Sequence, residues 1–127
     1  SAKTDLAAGA TLTAGFVISG KTARTVMIRA VGPSLVNYGQ TSGYLADPML
    51  TVYSTSVTPN VVVAANSGWG DDPQIAAVAH AVDAFTLNPG SKDAVVLLTL
   101  PPGSYTAQAT SANAGSGVVL VEVYEVK

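Results

Sequence analysis

The sequence predicts an all-β protein, an Ig-like or jelly-roll-like antiparallel β-sandwich with one short helix at about residues 73–85. Three observations carry that class. Apolar residues alternate with period two over several short stretches, the pattern of strands with one buried face. Clusters of Gly, Pro, Asn and Ser separate those stretches at sandwich-like spacing. Helical spacing occurs in a single segment. At 127 residues with no cysteine, the chain has the length of one domain that buries a core without disulfides.

In chain order, Ala10–Ile18 alternates, with Ala10, Leu12, Ala14, Phe16 and Ile18 on one face. Ahead of it lies an N-terminal arm, residues 1–9, leaving 10–127 as the sandwich. Thr25–Val31 is a second strand, ended by Gly32-Pro33-Ser34 because proline cannot donate to a ladder. Leu35–Leu45 reads as a loop, Met49–Tyr53 and Val61–Ala65 as strands, and Asn66–Gly70 as a glycine-rich loop. Asp72 and Pro73 suit the N-cap and first position of the helix, whose apolar stripe is Ile75, Val78, Ala79, Val82 and Phe85. Ala94–Leu100, a near-continuous apolar run, reads as a fully buried central strand. Tyr105–Thr110 and Val118–Val126 complete the set. The expected core is Phe16, Val26, Ile28, Leu50, Val95, Leu97, Val119 and Val121, with Val78 and Val82 packing the helix onto it.

Composition narrows the function. Hydrophobic residues make up 48% and charged residues 11%, where an average domain carries about a quarter charged. The polar surface is therefore Thr, Ser, Asn, Gln and Gly, as is common on extracellular β proteins. Net charge is -2 with no basic stripe, which argues against nucleic acid. No run of eighteen apolar residues exists, so no transmembrane segment is expected. The start at Ser1, with no leader, reads as a processed product whose export signal is gone, hence secreted or on a cell surface.

Several segments resemble a repeated β-sandwich module of large secreted bacterial proteins. They are Ala14–Gly20, Val26–Leu35, Leu45–Leu50, Asn66–Gly70, Leu100–Ala107 and Gly117–Glu125, of which Arg29–Leu35 is the most specific. The second half is also similar to bacterial pre-peptidase C-terminal domains, β-sandwich appendages of secreted enzymes. The resemblance implies a secreted sandwich and little chemistry. Such modules usually occur in tandem, whereas here one stands alone.

Candidate chemistry is sparse. His80 is the only histidine and lies on the helix face opposite the apolar stripe, so no base is placed beside a Ser or Thr nucleophile. A glycosidase needs two carboxylates across an aromatic cleft, and aromatics are only 6% of the chain. No enzyme is expected, and no cofactor. Calcium wants six to eight oxygens on a flexible loop, and Asn66, Asp71, Asp72 and Asp47 are the candidate ligands. In the modules it resembles, an Asp usually follows this Asn; here it is Ser67. Trp69, between two glycines, reads as closing the core rather than as a sugar platform. Arg29 is expected to hold the Gly32-Pro33 turn or to bond Asp47.

The favoured expectation is self-assembly into an extracellular fibre or pilus-like filament, a helical homopolymer. In it the arm residues Ala2, Lys3, Thr4, Asp5, Leu6, Ala7, Ala8, Ala10 and Leu12 enter a neighbour's sandwich as a donor strand. The arm is small, has no proline and carries only Lys3 and Asp5 as charges. The alternative is a calcium- or carbohydrate-binding module of a larger secreted protein.

Overall fold

A computed structural model describes residues 1–127. The protein is an antiparallel β-sandwich. Its strands are β1 (Ala2–Leu6), β2 (Leu12–Ile18), β3 (Arg24–Val31), β4 (Pro48–Ser54), β5 (Val61–Asn66), β6 (Ala94–Leu100), β7 (Gly103–Ser111) and β8 (Gly117–Val126). A 3-10 helix covers Pro33–Tyr38, and α1 covers Pro73–Ala81. One sheet has the order β1-β8-β3-β6 and the other β2-β7-β4-β5. The chain changes sheet at almost every connection, so the two sheets are stitched together throughout.

The strands β3 and β6 of the first sheet bury apolar residues on both faces, and this creates two cores. Val26, Ile28, Ala30, Ala94, Val96, Val119 and Val121 face the second sheet and pack on Leu50, Val52, Ala107 and Ala109. The β2 face predicted from alternation (Ala10, Leu12, Ala14, Phe16, Ile18) joins this inter-sheet core. Met27, Val31 and Val95 point the other way, into a second core under Leu35, Trp69, Ile75, Ala79 and Leu87. Val95 and Leu97 therefore lie on the outer face of the first sheet, not between the sheets as the sequence suggested. Val78 and Val82 likewise pack α1 onto that outer face. β6 is an edge strand rather than a central one; it reads as continuously apolar because the helical layer covers its second face.

Two local boundaries differ from the sequence reading. Helix α1 ends at Ala81 because Asp83 takes a left-handed conformation (φ 59°). The Ala84 N–H then reaches back to the Ala79 carbonyl at 2.9 Å and the Asp83 N–H to His80 at 3.3 Å, a Schellman ending. Pro33–Tyr38 is helical instead of irregular, opened by Pro33 and closed by Gly39 at φ 92°.

The segment Tyr44–Leu45 runs beside the start of β8, just past the end of β3. The Leu45 N–H donates to Val118 O and the Val118 N–H to Gly43 O, both at 2.8 Å. This close approach explains two glycines. A Cβ on Gly32 would fall 2.0 Å from the Leu45 carbonyl oxygen, and one on Gly117 2.6 Å from the Tyr44–Leu45 backbone.

Candidate functional site

The most highly organised polar cluster surrounds Asp93, which is fully buried just before β6. One carboxylate oxygen accepts the backbone N–H groups of Gly32 (2.8 Å) and Ser34 (3.2 Å). The other accepts the hydroxyls of Ser34 and Ser91, the latter at 2.6 Å. Ser34 Oγ in turn accepts the Asn88 N–H at 2.8 Å, and Ser91 Oγ accepts the Trp69 indole N–H at 3.1 Å. A carboxylate has about four acceptor positions, and here all are engaged. The cluster ties the 3-10 helix, the Trp69 loop and the entry to β6 into one unit. Sequence reasoning assigned the Gly32 turn to Arg29; Asp93 holds it instead. The signal was present as a lone acidic residue directly before an apolar strand.

Arg29 is also fully buried, between β8 and the segment that follows α1. Its Nε and Nη2 donate to Glu122 Oε1 at 3.1 and 2.7 Å, and Nη1 donates to the Phe85 carbonyl at 2.7 Å. Its guanidinium lies 4.4 Å from the Phe85 ring centroid, a cation–π contact. Thus Arg29 bonds neither the Gly32-Pro33 turn nor Asp47. Its partner sits across the β3–β8 ladder, where Arg29 faces Glu122. Tyr124 donates to the other Glu122 oxygen at 2.5 Å. Burial, then this bond and the Glu122 charge, push the Tyr124 phenol up to about 12.

Three of the four residues predicted to bind calcium hydrogen-bond backbone groups through their side chains. Asn66 Oδ1 accepts the N–H groups of Gly68 (3.0 Å) and Val95 (3.1 Å), while its amide donates to Gly68 O. Asp71 accepts the Gly90 N–H at 2.7 Å and Asp72 caps α1 through the Gln74 N–H at 2.9 Å. Asp47 lies at the entry to β4, where its carbonyl accepts the Ala112 N–H at 2.7 Å. No three His, Asp or Glu side chains gather into a metal-binding group. Asn66, Asp71 and Asp72 thus make turn, loop and cap bonds. His80 is exposed on α1, and Ser34 and Ser91 donate to Asp93 rather than to a base. Trp69 is buried in the second core, its N–H on the Ser91 hydroxyl.

Of the donor-strand residues, Ala2, Lys3, Thr4, Asp5 and Leu6 form β1, which pairs with β8 of the same chain from Ala2↔Val121 to Leu6↔Gly117. Ala7 and Ala8 belong to an exposed turn closed by the Ala10 N–H on Ala7 O (3.0 Å), and Leu12 opens β2. Leu6 is the one buried side chain of β1. β1 covers only the first half of β8, so Glu122–Val126 is paired on one side, by β3. Beside that open half lies a groove of about 310 Å³, lined by Phe16, Val17, Ile18, Val26, Val123 and Glu125. The exposed Arg24–Glu125 ion pair (3.0 Å) stands at its margin.

No protein-family model matches the chain, and no curated protein matches its sequence. Among solved structures, it is similar to the pre-peptidase C-terminal domain of a collagenase from Bacillus anthracis. The TM-score is 0.58 at 14% identity, over 97% of this chain and 86% of the other. The two share a fold. No helix of the chain is long and apolar enough to cross a membrane.

Proposed function

We propose that this chain is a structural subunit of an extracellular bacterial fibre, assembled by transfer of the N-terminal strand of one copy into the sandwich of the next. The observation that carries this reading is the way β1 is held. It is a five-residue edge strand with one buried side chain, Leu6, joined to β2 by the exposed turn Ala7–Gly9. The arm of a second copy can make the same ladder to Gly117–Val121 and fill the same Leu6 socket. Exchange therefore conserves the contacts, and head-to-groove exchange propagates unless its rotation closes. The charge-poor surface offers little repulsion between copies.

The test is deletion of Ser1–Gly9, followed by addition of those residues as a free peptide. Electron microscopy should show fibres from the full chain and none from the truncated one, and the peptide should raise the melting temperature of the truncated domain as a monomer. Fibres that persist after truncation, or a full chain that stays monomeric at high concentration, overturn the reading.

A second reading is an accessory module of a larger secreted protein that binds calcium or carbohydrate; the neighbour of the same fold is itself one domain of a collagenase. Under it, millimolar calcium raises the melting temperature of the intact chain and chelator reverses the rise. An unchanged melt removes the calcium form of that reading.

A further inference from the structure

The sandwich has four outermost strands, β1 and β6 on one sheet and β2 and β5 on the other, and on β6 the Val95 N–H is already taken by Asn66. Three of them, Leu12–Ile18, Val61–Asn66 and Ala94–Leu100, contain no charged residue. β1 alone carries charges, Lys3 and Asp5, both exposed. They stand two residues apart and share the face opposite buried Leu6. Neither joins an ion pair within the chain, whose bridges are Arg24–Glu125 and Arg29–Glu122.

We propose that the outer edge of β1 is an interface for β1 of a second copy, paired antiparallel about a two-fold axis at Thr4. In that register Lys3 faces the second copy's Asp5, Asp5 faces its Lys3, and Thr4 faces itself. Directly opposed residues of an antiparallel pair project to the same face, so each lysine lies beside a carboxylate. The sequence Lys-Thr-Asp is its own complement under this operation, as an isologous contact requires. The same charges select against the other edges: pairing β1 with uncharged β2, β5 or β6 would desolvate Lys3 and Asp5 with no partner. The first sheets of the two copies then join into one continuous sheet. This goes beyond strand exchange, because it uses the outer side of β1 and leaves its ladder with β8 in place.

Charge reversal tests it. Sedimentation of the intact chain below the concentration at which fibres form should show a dimer. Lys3→Asp and Asp5→Lys each replace two attractions with two repulsions and should weaken it roughly tenfold to a hundredfold. The double variant Lys3→Asp/Asp5→Lys rebuilds both pairs with signs exchanged and should restore the dimer to within about threefold of the original. Circular dichroism melts confirm that each variant is folded. Independently, Thr4→Cys should oxidise to a disulfide dimer in a chain with no other cysteine, and Lys3→Cys, offset by two residues from its mate, should not. A chain that stays monomeric, single reversals without effect, or a double variant that fails to recover overturns the proposal. If truncation abolishes fibres while the reversals change nothing, exchange stands and this interface falls. If the reversals govern a dimer but no fibre forms, the opposite holds.

Discussion

Replacing Asp93 should unfold the chain under conditions where the native protein is stable. Asp93→Ala removes the acceptor of two backbone N–H groups, from Gly32 and Ser34, both buried. Each stranded N–H costs about 1–3 kcal/mol, so the two together cost about 4 kcal/mol. The two serine hydroxyls add less, because they rotate and keep their contacts with the Asn88 N–H and the Trp69 indole. A loss of about 4 kcal/mol is a large share of the roughly 5–15 kcal/mol that holds a typical domain. With about 2.1 cal/mol/K of unfolding entropy per residue, it lowers Tm by about 15 °C for a chain of this length. Asp93→Asn retains one carbonyl oxygen for the N–H groups and presents an NH2 to two hydroxyls that can accept it, so its cost should be nearer 1–2 kcal/mol. Trp69 is the sole tryptophan and its N–H is bonded to Ser91, so urea unfolding followed by its emission reads both stability and local packing. An Asp93→Ala variant that loses under about 1 kcal/mol with unchanged emission would refute the reasoning. The loops would then be held by apolar contacts alone.

Gly32→Ala places a Cβ 2.0 Å from the Leu45 carbonyl oxygen; with backbone on both sides unable to yield cheaply, a loss of about 3 kcal/mol or more is expected in urea curves. Val121→Ala should cost about 1–3 kcal/mol, because Val121 is fully buried between the sheets. The Tyr124 phenol is raised from 10.0 to about 12, so the folded state holds its proton more tightly than the unfolded chain. Its contribution is fully present below pH 10 and is lost as pH rises toward 12. Alkaline titration of the phenolate absorbance should show one tyrosine titrating late, and Tyr124→Phe should remove it.

The strands were legible because burial imposes period two on a single face, and β2 shows it along its whole length. The assignment of faces failed where that signal vanishes. β6 is apolar at every position except Thr99, so alternation could not say that Val96 faces one core and Val95 the other. Nor could it show an edge strand covered by a helical layer. The early end of α1 was hidden because the residue taking the left-handed turn is Asp83, not glycine, so the Phe85 position still matched the helical stripe. Side-chain partners were the least legible. Asp93 lies far along the chain from Gly32, and Glu122 from Arg29; only the β3–β6 and β3–β8 ladders bring them together.

The same ladders explain why the residues that most resembled a site carry no site geometry. A sandwich with a second core on the outer face of one sheet must anchor several loops over that face, and each anchor needs a buried polar group with all its bonds made. Asp93, Ser34 and Arg29 meet that need, with half-buried Ser91, Glu122 and Asn66 as their partners or neighbours. The side chains left outside are mainly small and uncharged, which favours recognition through backbone over recognition through side-chain chemistry. Backbone ready to form a ladder with a partner lies at the outer strand edges, and an edge without charge cannot choose among partners. Lys3 and Asp5 supply that choice on β1 with the fewest charges that can do so: one of each sign, placed symmetrically about Thr4.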